Sequence, residues 1–253
     1  MAVTDSKIMS LGVASPEAMP EEISQAMSLE NLRIDLGAEN KGVKVGDRAT
    51  FATRFTHLGP SLRAKALDNR LGVATLIQLV KSFTQAPANH IELQAAFTVQ
   101  EEVGLRGARV AAYALDPHLA IAIDSTPAFD LPHWDDGEPG WENAVYNTSL
   151  GAGPAIYLSD SSTISDPRLI QHLVQTAETL GIPYQFRQPG GGGTDAGSIH
   201  KQRAGIPSLS ISVPGRYHHT SAALAHISDW EHTLQLLYAA LVRLPANIFS
   251  EDR

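Results

Sequence analysis

From Ala64 onward, short apolar runs alternate with amphipathic stretches, and this alternation restricts the fold more than any other feature of the chain. In "DNRLGVATLIQLVKSF", Leu71, Ala74, Ile77 and Val80 recur at helical spacing, whereas "IELQAAFTV" reads as a strand. "GARVAAYAL" predicts a helix and "LAIAID" a wholly apolar strand. The series continues with strand "PAIYLS", helix "DPRLIQHLVQTAETLG", strand "PYQFRQ", the glycine loop "PGGGGTDAGSI", strand "SLSISVP" and a last helix beginning at Asp229. Apolar strands interleaved with helices imply an α/β fold whose sheet is mostly parallel and covered on both faces. Sites in such sheets gather at the carboxyl ends of the strands.

The preceding stretch has a different texture. Residues 32–58 lack a long helical pattern and read as short strands with turns at Glu39-Asn40 and Gly46-Asp47, a small β module. A chain of 253 residues with 43% apolar content has room for one large α/β domain, or one domain with a smaller appendage. It contains no cysteine, which excludes disulfides and thiolate metal sites and leaves His, Asp and Glu as the good ligands. The absence also fits a reducing cytoplasm. No signal-peptide core is visible at the N-terminus, and no apolar run approaches the roughly 20 residues of a membrane span. The net charge of -8, without a Lys/Arg block, argues against a nucleic-acid partner.

Two adjacent carboxylates, Glu101 and Glu102, end the apolar run of "FTVQEEVGLRG". Successive side chains on a strand point to opposite faces, so the pair can share one site only where the strand has ended, and Val103-Gly104 supplies a turn. Such a pair points to a metal ligand beside a general base, or to an acid/base pair acting on a sugar. Asp68 directly precedes a helix, where the ordinary role is an N-cap. Asp124 ends "LAIAID", where an Asx-turn is ordinary, and His219 follows "SLSISVP", where a loop histidine is most often plain surface. Each signal is weak alone. Together they place acids and a histidine at the ends of elements that one carboxyl edge of a sheet would gather. The nucleophile elbow, the H-E-x-x-H helix and both phosphate-binding glycine motifs are absent.

The segments "KALDNRLG", "TVQEEVGLRGA", "AIAIDSTPAFD", "GTDA" and "SVPGRYHHT", in this order, resemble the co-catalytic metallo-aminopeptidases of the tetrahedral, glutamyl-aminopeptidase type, some of which carry an endoglucanase label. The resemblance covers roughly residues 30–245. It implies a three-layer αβα sandwich, with residues 1–60 a remnant of an inserted β-barrel used in assembly and residues 61–253 the catalytic domain. It also implies two divalent metals, Zn or Co, short peptide substrates and a homo-oligomer. Carried over by motif, Asp68 would bridge the metals, Glu102 and His219 would complete one, Asp124 would bind the other, and Glu101 would be the base. His218 fills the variable place of the family's Arg-Tyr-x-His.

On this resemblance the adjacent glutamates have separate jobs. Glu102 lends an oxygen to a metal, while Glu101 takes a proton from the attacking water and returns it to the leaving amine. A glycosidase needs carboxyls opposed across a sugar, which sequence neighbours rarely are. The family's remaining metal ligand is a histidine upstream of the barrel insertion, and no histidine precedes His57 here. The expectation is therefore one tightly held metal, with activity impaired, or a catalytically inactive homologue serving as a binding or assembly subunit. His57 and His133 are the histidines near Asp68 and Asp124 that could substitute.

Overall fold

The protein is described here from a computed structural model, which defines residues 2–3, 7–8, 34, 42–44, 46–85, 90–131, 147–188 and 192–249. The chain divides into two compact units, Met1–Arg54 and Phe55–Arg253. In the first, β1 (Ala2–Val3) pairs antiparallel with β2 (Lys7–Ile8). The expected turn at Gly46-Asp47 is present: Asp47 N donates to Lys44 O at 3.1 Å, and Asp47 Oδ2 accepts from Lys44 N at 2.9 Å. The turn expected at Glu39-Asn40 lies outside the described residues.

The second unit contains β3 (Thr56–Leu58), β4 (Ser61–Ala64), α1 (Leu67–Gln85), α2 (Arg106–Leu115), β5 (Ala120–Pro127), β6 (Ala155–Tyr157), α3 (Pro167–Leu180), β7 (Gln185–Arg187), α4 (Ala196–Ile199), β8 (Ser208–Arg216), β9 (Ala223–His226) and α5 (Ile227–Val242). These strands form one sheet in the order β3-β4-β9-β8-β6-β7, with β5 also paired to β8. Strand β8 organises it. One edge runs parallel to β5 from Ala120↔Ser208 to Pro127↔Gly215, and the other meets β6 around Ile211 and β9 around Gly215. Leu209, Ile211 and Val213 alternate with Ser208, Ser210 and Ser212, and all six are buried. Leu209 and Ile211 pack with Leu79, Leu169, Leu173, Leu236 and Leu237 of α1, α3 and α5, and Val213 joins a second cluster with Leu62, Leu67 and Leu71. On the serine side, Ser210 Oγ lies 2.6 Å from Thr194 Oγ1, and Ser212 donates to Tyr157 OH at 3.1 Å. Helix α4 begins there, and α2 packs on it. Helices thus cover both faces of the sheet, as a three-layer αβα arrangement requires.

Two expectations fail. The sheet is mixed rather than mostly parallel: β5–β8 and β6–β7 are parallel, whereas β3–β4, β4–β9, β6–β8 and β8–β9 are antiparallel. The β6–α3–β7 crossover makes a parallel pair, but β8 turns back at residues 217–222 into β9, a hairpin arm that the apolar pattern did not reveal. "IELQAAFTV" is not a strand: residues 92–98 carry no ladder, and Phe97 and Val99 are 55% and 68% exposed. Its β-propensity finds no partner among the described residues, and a strand exists only through pairing and same-face packing.

Helix starts are set by polar side chains. Asp166 caps α3, accepting from Arg168 N at 2.9 Å and receiving the Arg168 side chain at 3.0 and 2.7 Å. At α1 the cap is Asn69: its Oδ1 accepts from Gly72 N at 3.0 Å, while its Nδ2 donates to Ile123 O on β5 at 2.8 Å. Gly72 is required there, because a Cβ would overlap Asn69 Oδ1 and stand 2.8 Å from Ile123 O. Substituting Gly72→Ala is expected to cost about 1–3 kcal/mol, the usual range for overpacking, read as a lower urea midpoint. The Asp166 carboxyl is held below its ordinary range by the Arg168 side-chain bonds, against a smaller opposing effect of burial. A depressed folded pKa stabilises above the unfolded value of about 3.9 and is lost as pH falls through the folded value. Asp166→Ala should therefore cost about 1–2 kcal/mol at neutral pH, as lost caps do, with the gap from the parent protein closing in acid.

Candidate metal centre

Asn69 does the capping that an aspartate before a helix would ordinarily do, so Asp68 is left for something else. Asp68 has extended backbone (φ -79°, ψ 111°), and its carboxylate approaches the turn after β8. In that turn His219 adopts φ +57°, and its Nε2 lies 3.2 Å from Asp68 Oδ2 and 3.2 Å from Glu102 Oε1. The ligand atoms of Asp68, Glu102 and His219 all fall within 4.8 Å of one another. Bonds of about 2.0–2.2 Å in a tetrahedral zinc site put neighbouring ligand atoms about 3.3–3.6 Å apart, and the two His219 contacts, at 3.2 Å each, are close to that spacing. Its chemistry, one imidazole and two carboxylates, suits a borderline divalent metal.

The two glutamates are separated by a change of chain direction. Gln100 takes a positive φ of 60°, Gly104 N and Leu105 N both donate to Glu101 O (3.1 and 2.9 Å), and α2 follows at once. Glu102 thus lies in a turn, and its side chain, 60% exposed, reaches the cluster. Glu101 lies outside that trio. Its carboxyl is pushed up to about 7, chiefly by burial, then by the charges of Asp195, Glu102 and Asp68, with His219 pulling the other way.

Asp124 stands on β5 opposite Ser212 of β8, and its Oδ1 accepts from the adjacent Ser125 N at 2.8 Å; the Asx-turn expected here is not formed, because β5 continues through Asp124 to Pro127. Burial pushes its carboxyl well up, with Asp68, Glu101 and Asp195 adding to the effect against the Ser125 bond. It is not part of the three-residue cluster. Asp68 is raised by burial and partly relieved by His219. With Asp195, also raised by burial, four carboxyls share a neighbourhood whose charged forms a cation would stabilise. His218 is turned away against Gly215, and burial lowers its pKa to about 4. His57 sits on the edge strand β3 outside the cluster, and His133 lies outside the described residues.

Two participants had no assigned role in the sequence reading. Asn69 ties the residue after Asp68 to the residue before Asp124, fixing the two acids relative to each other. Asp195, in the "GTDA" segment, accepts from Thr98 Oγ1 and contributes to the charge around Glu101. The segment itself was legible; the direction of its aspartate was not.

The profile of the M42 glutamyl aminopeptidase family matches residues 4–236. A relative from Acetivibrio thermocellus is 38% identical over 220 residues, covering 85% of this chain and 63% of that protein. Among solved structures, the aminopeptidase APDkam598 from the archaeon Desulfurococcus kamchatkensis superposes with a TM-score of 0.83 at 32% identity, covering 97% of this chain and 68% of that one. The Pyrococcus horikoshii TET1 peptidase, described as assembling into a tetrahedron or a large octahedral shell, superposes at 0.68 with 32% identity, covering 91% and 67%. The chain therefore spans about two-thirds of the length of these proteins. With the family profile matched over residues 4–236, most of its length, the chain belongs to the M42 glutamyl aminopeptidase family.

Proposed function

We propose that this chain is a metal-dependent aminopeptidase that removes N-terminal residues from short peptides. The observation that carries this reading is the Asp68–Glu102–His219 donor cluster with Glu101 unligated beside it and its carboxyl near neutrality. A divalent ion held by those three residues, Zn or Co, would polarise the scissile carbonyl and acidify the attacking water. The remaining work belongs to the chain. Glu101, with a pKa of about 7, can accept a proton from water and pass it to the departing amine at the same pH. Asp124, linked to the Asp68 segment through the Asn69–Ile123 bond, would help Asp68 hold a second ion.

Residues 1–60 are proposed to belong to an assembly module of β-barrel type and residues 61–253 to the catalytic domain. The assembly reported for the TET1 peptidase supports a homo-oligomer of this chain as well. Among the described residues no helix is long and apolar enough to cross a membrane, and a cytoplasmic location accords with the cysteine-free composition.

The roles of the paired glutamates separate on mutation. Glu101→Gln should retain metal and lose about 10²- to 10⁴-fold in kcat on aminoacyl anilides, the usual contribution of proton transfer. Glu102→Gln should lower metal retention itself. Metal loss in the first variant and not in the second would reverse the assignment.

Ligand counting gives a second expectation. Three protein ligands and a water make the usual catalytic complement, whereas Asp68 and Asp124 alone make a weaker pair. Elemental analysis after extensive dialysis should find about one divalent ion per chain, with a second exchanging freely. Two tightly retained ions would show a further ligand outside the cluster. No metal and no turnover on free-amino peptides would favour a non-catalytic binding or assembly subunit.

A further inference from the structure

Asp195 is a half-buried acid that its own helix does not use. It stands at the start of the four-residue α4 without donating or accepting a side-chain capping bond. Its Oδ2 instead accepts from Thr98 Oγ1 at 2.5 Å, and its Oδ1 is buried without a hydrogen-bond partner among the described residues. Neutral asparagine would serve Thr98 at lower desolvation cost, so a structural contact alone does not account for a carboxylate here.

The backbone around Asp195 is held firmly. Thr194 Oγ1 lies 2.6 Å from Ser210 Oγ of β8 and accepts from Ala196 N at 3.3 Å. Gly193 and Gly197 pack so closely on Ser162 that a Cβ at Gly193 would stand 2.7 Å from Ser162 Oγ, and one at Gly197 would overlap it. The other end of the contact is less restrained. Thr98 belongs to residues 92–98, which have no ladder, and lies three residues before Glu101. A fixed carboxylate therefore holds a segment that has no ladder pairing, just upstream of the proposed base.

We infer that Asp195 is a positioning residue, which uses the charge-assisted bond to Thr98 to hold the Gln100–Glu102 turn, and with it Glu101, at its working place over the donor cluster. The inference rests on the peptidase reading of Glu101. It predicts that the contact matters for kcat more than for KM or for metal binding.

The test uses the full-length, metal-loaded chain and three variants: Asp195→Asn, which keeps an acceptor without charge, Thr98→Val, which keeps the charge without the bond, and Asp195→Glu, a charge-preserving control. Turnover of leucine p-nitroanilide, metal content, and deuterium uptake of residues 98–107 are measured together. The first two variants should lose about 10- to 100-fold in kcat, the usual effect of removing an outer-shell partner, with KM and metal content within about twofold of the parent. Their uptake at 98–107 should quicken while α5 is unchanged, and Asp195→Glu should recover part of kcat. Unchanged uptake, or quicker uptake with kcat unchanged, overturns the inference; so does metal loss in proportion to kcat, which would make Asp195 a contributor to ion retention. A parent chain without turnover refutes the peptidase reading instead, and uptake alone then decides whether Asp195 and Thr98 hold the turn. Thr98→Val is nearly isosteric, so the test survives an Asp195 variant that fails to fold.

Discussion

The pairing of β8 on both edges is the constraint from which the rest of the second unit follows. Its eight-residue parallel ladder with β5 fixes Asp124 opposite Ser212, and its hairpin with β9 fixes the turn that presents His219. Because β8 is buried on both faces, a register slip would bring Leu209, Ile211 and Val213 to the face now occupied by serines, which pack against Thr194 and Tyr157. That penalty locks the strand, and the locked strand sets the depth at which donors from separate segments meet. The alternation of branched and small side chains on β8 is thus a packing device whose consequence is chemical.

The site itself works against stability. Asp68, Glu101, Asp124 and Asp195 are all pushed up by burial, and Glu101 and Asp124 also by the charges of Asp68 and Asp195. Holding these groups together needs restraints that do not consume the carboxylates. Asn69 is such a restraint: one amide caps α1 through Gly72 N and bonds Ile123 O, leaving both Asp68 and Asp124 free for other partners. The reversal at Gln100 does the corresponding job for the glutamates, since two side chains that alternate on a strand can approach one centre only after the chain has turned. Local backbone irregularity and buried like charge coincide here because both are tolerated only where surrounding packing over-determines the geometry.

Much of this was legible in the sequence. Helices α1, α2, α3 and α5 and strands β5, β6, β7 and β8 follow from helical spacing and short apolar runs, since burial imposes those periods on the chain. The residues of the donor cluster, Asp68, Glu102 and His219, were picked out at the ends of elements and by motif, and the fold brings those three together. Less legible was anything that depends on a partner distant in sequence. Residues 91–99 have strand composition yet lack a ladder, β9 is too short to show a period, and the parallel or antiparallel sense of each pairing is set by crossovers and hairpins.

What the sequence alone determined is the layered α/β plan and the residue types available for chemistry: a chain without cysteine, its acids placed at the ends of apolar runs and a histidine after the last long strand. Tertiary structure decided how each is used. It gave the helix cap to Asn69 and not Asp68, turned His218 into the interior and His219 toward the acids, set Asp124 apart from the trio, and aimed Asp195 at Thr98 and not at its own helix. The reason is physical: periodicity records which side chains are buried, but the direction of a polar side chain is fixed by hydrogen-bond partners and packing contributed from 50 to 100 residues away in the chain, as the Asn69–Ile123 and Thr98–Asp195 bonds show with separations of 54 and 97 residues.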